Sequence, residues 1–222
     1  MTSSRPVVAI DGPAGAGKTT LARRLAVALG LPYVNTGSMY RALALEALRR
    51  GVDVDDGAAL AALTRRLRFA LVEGDDVPEL EIEGISNRAL SEPEVEAVVS
   101  RVARHPEVRA LMRAAQRRLG AGGAVMEGRD IGTVVFPDAR VKIFLGGAPG
   151  ERAARRRRER ADDRSARAVH ARDAQDATVT PLVPAPDAVA IDTTDLSPDE
   201  VFARALDVVR DRLGGERGGD PG

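Results

Sequence analysis

The sequence predicts an α/β protein built on a parallel sheet, and three observations carry that prediction. Short apolar runs alternate along the chain with longer stretches of helical periodicity, the pattern of strands joined by crossover helices. A glycine-rich turn, Gly12–Gly17, joins the first apolar run to the first helical stretch. The length, 222 residues, suits one large domain or a domain carrying an insertion, and is enough to bury a core.

Pro6–Asp11, with Val-Val-Ala-Ile inside it, reads as a buried strand. Lys18–Leu29 sets Leu21, Leu25 and Leu29 on one face beside Ala22 and Ala26 and stops at Gly30, as a helix does. Leu31–Val34 is a short second strand, Ser38–Arg50 a second helix closed by Gly51, and Gly57–Leu67 a third helix. The texture changes at Arg68. Phe69–Val72 and Glu79–Glu83 alternate around the polar loop Glu73–Pro78 and read as a hairpin-like insertion. Ser91 is placed as an N-cap, with Pro93 in the first turn that follows. Helices over Glu92–Arg104 and Pro106–Leu119 part at His105-Pro106, since a residue before proline is pushed out of the helical region. Ala124–Glu127 and Val141–Leu145 are strands, and Pro149–Asp173 is a very basic helical stretch that includes Arg152. Ala188–Asp192 is the last strand, Pro198–Leu213 the last helix and Gly214–Gly222 a frayed tail.

Composition narrows the function classes. Lys plus Arg and Asp plus Glu each number 33, so the net charge is zero, whereas a general nucleic-acid binder carries a basic surplus. Four Phe, two Tyr and no Trp supply no base-stacking platform. The lack of Cys excludes disulfides, thiolate metal sites and cysteine nucleophiles. Two histidines, His105 and His170, leave little room for a His-rich metal centre. No run approaches the roughly 18 apolar residues of a membrane span, and the N-terminus lacks the apolar region of a signal peptide. A cytoplasmic protein is expected.

Gly12-Pro13-Ala14-Gly15-Ala16-Gly17-Lys18-Thr19 matches G-x-x-x-x-G-K-[ST]. Glycines let the backbone wrap closely around phosphates with successive N–H groups turned inward, and the following helix adds its positive end. In this pattern the lysine reaches the β- and γ-phosphates and the hydroxyl can ligate Mg²⁺. The context fits, because an apolar strand precedes the motif and an amphipathic helix follows. The motif also uses one of only two lysines, Lys18 and Lys142.

Further stretches narrow the reading. Asn35-Thr-Gly-Ser-Met-Tyr-Arg41 follows the second strand, and Ser100–Arg109 lies in the insertion. Glu127-Gly-Arg-Asp-Ile-Gly-Thr-Val-Val-Phe-Pro-Asp138 and Val141-Lys-Ile-Phe-Leu145 follow, then Pro181-Leu-Val-Pro-Ala185 and Asp187–Thr193. Together with the phosphate loop they resemble the bacterial cytidylate kinases, over roughly residues 6–213 and in the right order.

The resemblance implies a P-loop NTPase fold and a single kinase domain. Its five-stranded parallel core would come from residues 5–66, 121–148 and 181–213, with an acceptor-binding insertion over 67–120, a helical lid over 149–180 and a disordered tail over 214–222. It implies transfer of the ATP γ-phosphoryl group to CMP or dCMP, with Mg²⁺. Lys18, Arg41 and Arg129 would be catalytic. Gly12, Pro13, Ala14, Gly15, Ala16, Gly17, Lys18, Thr19 and Thr20 would hold ATP, with Arg155 and Arg156 of the lid. Thr36, Arg41, Ser100, Arg109, Arg129, Asp130, Arg172 and Asp176 would hold CMP. Within that set, Arg41 and Arg129 would take the acceptor phosphate, where bidentate guanidinium contacts are strong. Asp130 would accept from the cytosine N4 amine, Arg109 and Ser100 would serve O2 and N3, and Arg172 and Asp176 would hold the ribose. Thr19 and Glu127 would hold Mg²⁺, Glu127 through water. A monomer without nucleic-acid or membrane partners is expected.

The chain departs from the family pattern in three places. Asn35 stands where Asp is usual. The lid lacks its customary Gly-containing middle. The family's R-D-x-x-D-[ST]-x-R-x-x-x-P-L becomes Arg172-Asp-Ala-Gln-Asp176 followed by Ala177-Thr-Val-Thr-Pro181, two positions shorter and without the second arginine. That arginine belongs to the acceptor phosphate in the family, and Arg167 is a candidate substitute. The third departure leaves two rivals: a related kinase for a modified pyrimidine nucleotide, and a degenerate nucleotide-binding paralogue with a regulatory role.

Overall fold

A computed structural model of the chain describes residues 5–148, 150–152 and 182–214. Strand β1 (Val7–Asp11) runs through the middle of the sheet, parallel to β5 (Ala124–Gly128) on one side and β6 (Val141–Gly146) on the other. A strand apolar at successive positions must be covered on both faces, and alternation divides its side chains between them. Ala9 joins one apolar cluster, with Val34, Met39, Leu43, Met112 and Met126. Val8 and Ile10 join the other, with Leu21, Leu25, Val125, Ile143 and Ala205. Helices α2 (Thr36–Arg50), α3 (Gly57–Thr64), α4 (Pro93–Ala103) and α5 (Pro106–Gly120) pack into the first cluster. Helices α1 (Lys18–Leu29) and α6 (Pro198–Gly214) pack into the second.

The five strands expected of the core are present and parallel, in the order β2 (Tyr33–Asn35), β5, β1, β6 and β7 (Val189–Asp192). The sheet of the described residues nevertheless has seven. The hairpin of β3 (Phe69–Val72) and β4 (Glu79–Ile82) is antiparallel, as its alternation predicts, but it is joined to the core. Glu79 of β4 pairs with Tyr33 of β2, and Tyr33 N–H donates to the Pro78 carbonyl at 2.8 Å. The physical gain is a covered edge, since β2 would otherwise present unpaired backbone groups.

Several boundaries differ from the sequence reading for local reasons. Helix α2 begins at Thr36 rather than Ser38, because Asn35 Oδ1 accepts from Ser38 N–H at 3.1 Å and caps it. Strand β2 accordingly spans Tyr33–Asn35, not Leu31–Val34. Ser91 does not cap α4. It ends a short 3₁₀ turn, Ala89–Ser91, and Glu92 holds the capping position without a side-chain bond, while Pro93 does begin the helix. A π-helical turn over Ile131–Val135 had no signal in the sequence. Helix α6 continues to Gly214, and residues 215–222 of the expected tail lie outside the described residues. So do 153–173 of the basic stretch. Among the described residues no helix is long and apolar enough to cross a membrane.

Candidate active site

The loop from Gly12 to Thr19 bridges the C-terminal end of β1 and the start of α1. Gly12 has φ +149°, and a Cβ there would lie 2.2 Å from the Leu145 carbonyl oxygen of β6, so only glycine fits. Gly17 is the left-handed N-cap of α1, with no side-chain cap and no acidic residue in the first turn. A helix N-terminus with neither a side-chain cap nor an acidic residue is of the kind that can bind an anion through its first N–H groups. Lys18 Nζ donates to the Pro13 carbonyl at 2.8 Å, holding the ammonium back along the loop. Arg152, buried, braces the loop from outside: its Nη1 donates to Ala14 O at 3.1 Å and its Nε to Gly147 O at 3.0 Å. Thr20 is exposed on the first turn of α1.

Glu127 sits buried near the end of β5, beside the loop. Thr19 Oγ1 donates to its Oε2 at 3.1 Å, and the Tyr33 hydroxyl donates to its Oε1. Burial, and then the Glu127 charge, push the Tyr33 phenol well above its ordinary value, so it stays protonated as a donor. Thr36 Oγ1 donates to the Glu127 carbonyl at 2.7 Å, which ties the start of α2 to the end of β5. A hydroxyl and a carboxylate next to a phosphate loop form a hard-oxygen set that fits Mg²⁺, which takes few protein ligands and keeps waters and substrate phosphates. No cluster of three or more acidic or His side chains suited to a metal occurs among the described residues.

A second group of expected site residues comes from α2, α4, α5 and the loop after β5. Arg109 on α5 donates through Nη2 to Asp130 Oδ2 at 2.8 Å, and Arg113 Nη2 lies 3.9 Å from the same oxygen. Tyr40 is partly buried on α2; burial and then the Asp130 charge push its phenol up to about 12. Ser100 is buried on α4. Arg41 on α2 donates to Ser38 Oγ at 3.2 Å and lies 3.8 Å from Glu96 of α4. Arg129 is half-buried between Gly128, which ends β5, and Asp130.

The loop carrying Arg129 and Asp130 is fixed from three directions. Asp11, the last residue of β1, accepts from Ile131 N–H at 2.9 Å and Gly132 N–H at 2.8 Å, one on each carboxylate oxygen. Its burial raises its pKa to about 6 against the lowering effect of those two bonds, with Asp130 raising it further and Lys18 lowering it. Arg117 donates to Val135 O and Val134 O, both at 2.9 Å. Lys142, buried on β6, donates to Pro137 O and pairs with Asp187 at 2.8 Å.

The structure thus sets Gly12–Thr19, Glu127 and Thr36 around one end of β1 and β5, and brings Arg109 to Asp130. Arg155, Arg156, Arg167, Arg172 and Asp176 lie outside the described residues. Three residues of the site were not singled out by sequence reasoning. Tyr33 and Asp11 carry no local motif, because their partners lie far along the chain. Arg152 was one of many arginines in a basic stretch.

A cytidylate kinase family model matches residues 8–211 of the chain. A cytidylate kinase of Rhodococcus jostii is 45% identical over 237 residues, spanning 96% of this chain and 99% of that protein. One from Klebsiella pneumoniae is 41% identical over 224 residues, with the same coverage of both chains. A bifunctional pantoate ligase/cytidylate kinase of a Synechococcus strain is 43% identical over 231 residues, 97% of this chain and 42% of that longer protein.

Proposed function

The chain belongs to the cytidylate kinase family, and we propose that the site between Gly12–Thr19 and the Arg109–Asp130 pair is where it works. It is an ATP:CMP phosphotransferase: the γ-phosphoryl group of ATP passes to CMP or dCMP, giving CDP or dCDP and ADP. In the proposed arrangement a 5′-phosphate oxygen of the acceptor attacks the γ-phosphorus, and the bond to the β–γ bridging oxygen breaks. Such transfer is mostly positioning and charge neutralisation. The N–H groups of the loop hold the donor phosphates, and Lys18 exchanges its Pro13 contact for the β- and γ-phosphates. Thr19 and Glu127 are the residues that would hold Mg²⁺, which when bound supplies positive charge against the donor phosphates.

On the acceptor side, Arg41 and Arg129 take the phosphate of CMP, Thr36 and Ser100 line the pocket, and Asp130 and Arg109 read the base. The observation that carries this reading is the Arg109–Asp130 pair, an acceptor and a donor set side by side. Cytosine offers the complementary edge, an N4 amine beside the N3 and O2 acceptors. Uracil offers an acceptor at position 4 and would face the carboxylate without a bond. Arg155 and Arg156 toward ATP, and Arg172 and Asp176 toward the ribose, complete the proposal from the family resemblance.

We take the chain as one kinase domain, with insertion 67–120 and lid 149–180; the apolar cluster shared by α2–α5 and the sheet supports that reading. We take it as a cytoplasmic monomer, and its balanced charge supports function without nucleic acid. The test is product identity. With ATP, Mg²⁺ and CMP, equal amounts of CDP and ADP are expected, and chelation of Mg²⁺ should stop the reaction. Absence of CDP under these conditions would overturn the assignment.

A further inference from the structure

We infer that Asp11 is a positioning residue that fixes the acceptor loop to the donor loop. Its backbone leads directly into Gly12, the first residue of the phosphate loop. Its carboxylate, 7% exposed, is engaged at both oxygens by Ile131 and Gly132, which directly follow Arg129 and Asp130. One side chain therefore joins the strand that sets Lys18 to the turn that sets Arg129 and Asp130. Arg117 and Lys142 anchor the far end of that turn through Val134, Val135 and Pro137. They come from α5 and β6, so neither ties the turn to the phosphate loop's own strand.

A buried carboxylate is a poor choice for stability alone, because desolvating the charge is costly. It is a good choice for rigidity, because charge-assisted bonds to two adjacent N–H groups are short and directional. Reactions that depend on positioning lose about 100-fold when reacting groups are misplaced by ~1 Å. The inference rests on the proposed roles of Lys18, Arg129 and Asp130.

The test uses the full chain with Asp11→Asn, which keeps one acceptor, and Asp11→Ala, which removes both. Asp11→Asn should lower kcat by about tenfold and Asp11→Ala by about 100-fold. The dissociation constant for ATP, titrated without acceptor, should stay within about twofold for a site whose donor loop is intact. The ratio of kcat/KM for CMP over UMP should fall in both variants, because Asp130 shifts with Ile131. A variant that keeps the unaltered kcat and CMP:UMP ratio would overturn the inference. So would equal weakening of ATP and CMP accompanied by a lowered Tm, the mark of a purely structural role. If Asp11→Ala does not fold, Asp11→Asn decides. Failure of the underlying reading looks different: the unaltered enzyme itself would show no CMP preference, and kcat is then compared on its best acceptor.

Discussion

Arg109 and Asp130 meet at 2.8 Å, with side chains 15% and 16% exposed, although they stand 21 positions apart in sequence with strand β5 between them. Each partner holds the other in place, and in the proposed reading the pair is a preformed edge for the base. Arg109→Ala should therefore cost more than one contact, because Asp130 is left with the more distant Arg113 at 3.9 Å. A charge-assisted bond contributes roughly 1.5–3 kcal/mol, so KM for CMP should rise by about tenfold to 100-fold. Steady-state kinetics with CMP varied at saturating ATP measures this. An unchanged KM would remove Arg109 from the acceptor site.

In the proposed arrangement Lys18 acts on charge that develops between the β- and γ-phosphates. Lys18→Ala should lower kcat by about 100-fold or more. It should leave thermal unfolding nearly unchanged, because Lys18 is only partly buried and its Pro13 contact lies within the loop itself. Near-normal turnover with ATP and CMP would contradict the phosphate-loop assignment.

Asp11 makes a signed prediction about pH. Its pKa is about 6 in the folded protein against 3.8 for an ordinary Asp, so the native state holds the proton more tightly than the unfolded chain. Its contribution to stability is fully present below about pH 4 and is lost as pH rises through about 6. Compared with Asp11→Asn, which does not titrate, the unaltered protein should lose about 3 kcal/mol over that window. Urea unfolding of both proteins at several pH values between 4 and 7 gives the slope. A difference that grows in favour of the unaltered protein as pH rises would mean that the Ile131 and Gly132 bonds outweigh desolvation.

The lid makes a prediction from sequence alone. The chain lacks the family's second arginine after the Arg172–Asp176 segment, the residue to which the resemblance assigns an acceptor-phosphate contact. Inserting Thr-Arg after Ala177 should raise kcat/KM for CMP by about tenfold or more on the charge-assisted estimate. If the insertion has no effect, Arg167→Ala and Arg164→Ala identify which arginine fills the role, by the loss of kcat/KM.

Local chemistry made much of this legible from sequence. Helix α1 spans Lys18–Leu29 as expected, because Gly17 and Gly30 both take left-handed backbone at its ends. The β3–β4 hairpin followed from alternation, but its attachment to β2 rests on one tertiary pair, Tyr33 with Glu79, that no local pattern encodes. Glu127 was visible as an acidic residue ending a core strand. The bond from Tyr33 was not, since it crosses 94 residues. Asp11 read as the end of a strand, because its partners are backbone N–H groups, which carry no side-chain signature.

The central claim is that a carboxylate–guanidinium pair reads cytosine beside a phosphate loop. The most direct measurement is kcat/KM for CMP and for UMP with the unaltered enzyme, by coupled ADP release at saturating ATP and Mg²⁺. With UMP the position-4 carbonyl would face the Asp130 carboxylate in place of an amine, so a charge-assisted bond of about 1.5–3 kcal/mol is not made; CMP should exceed UMP by about tenfold at the least, with dCMP close to CMP. Asp130→Asn should bring the two values together. Equal kcat/KM for CMP and UMP in the unaltered enzyme would contradict the claim.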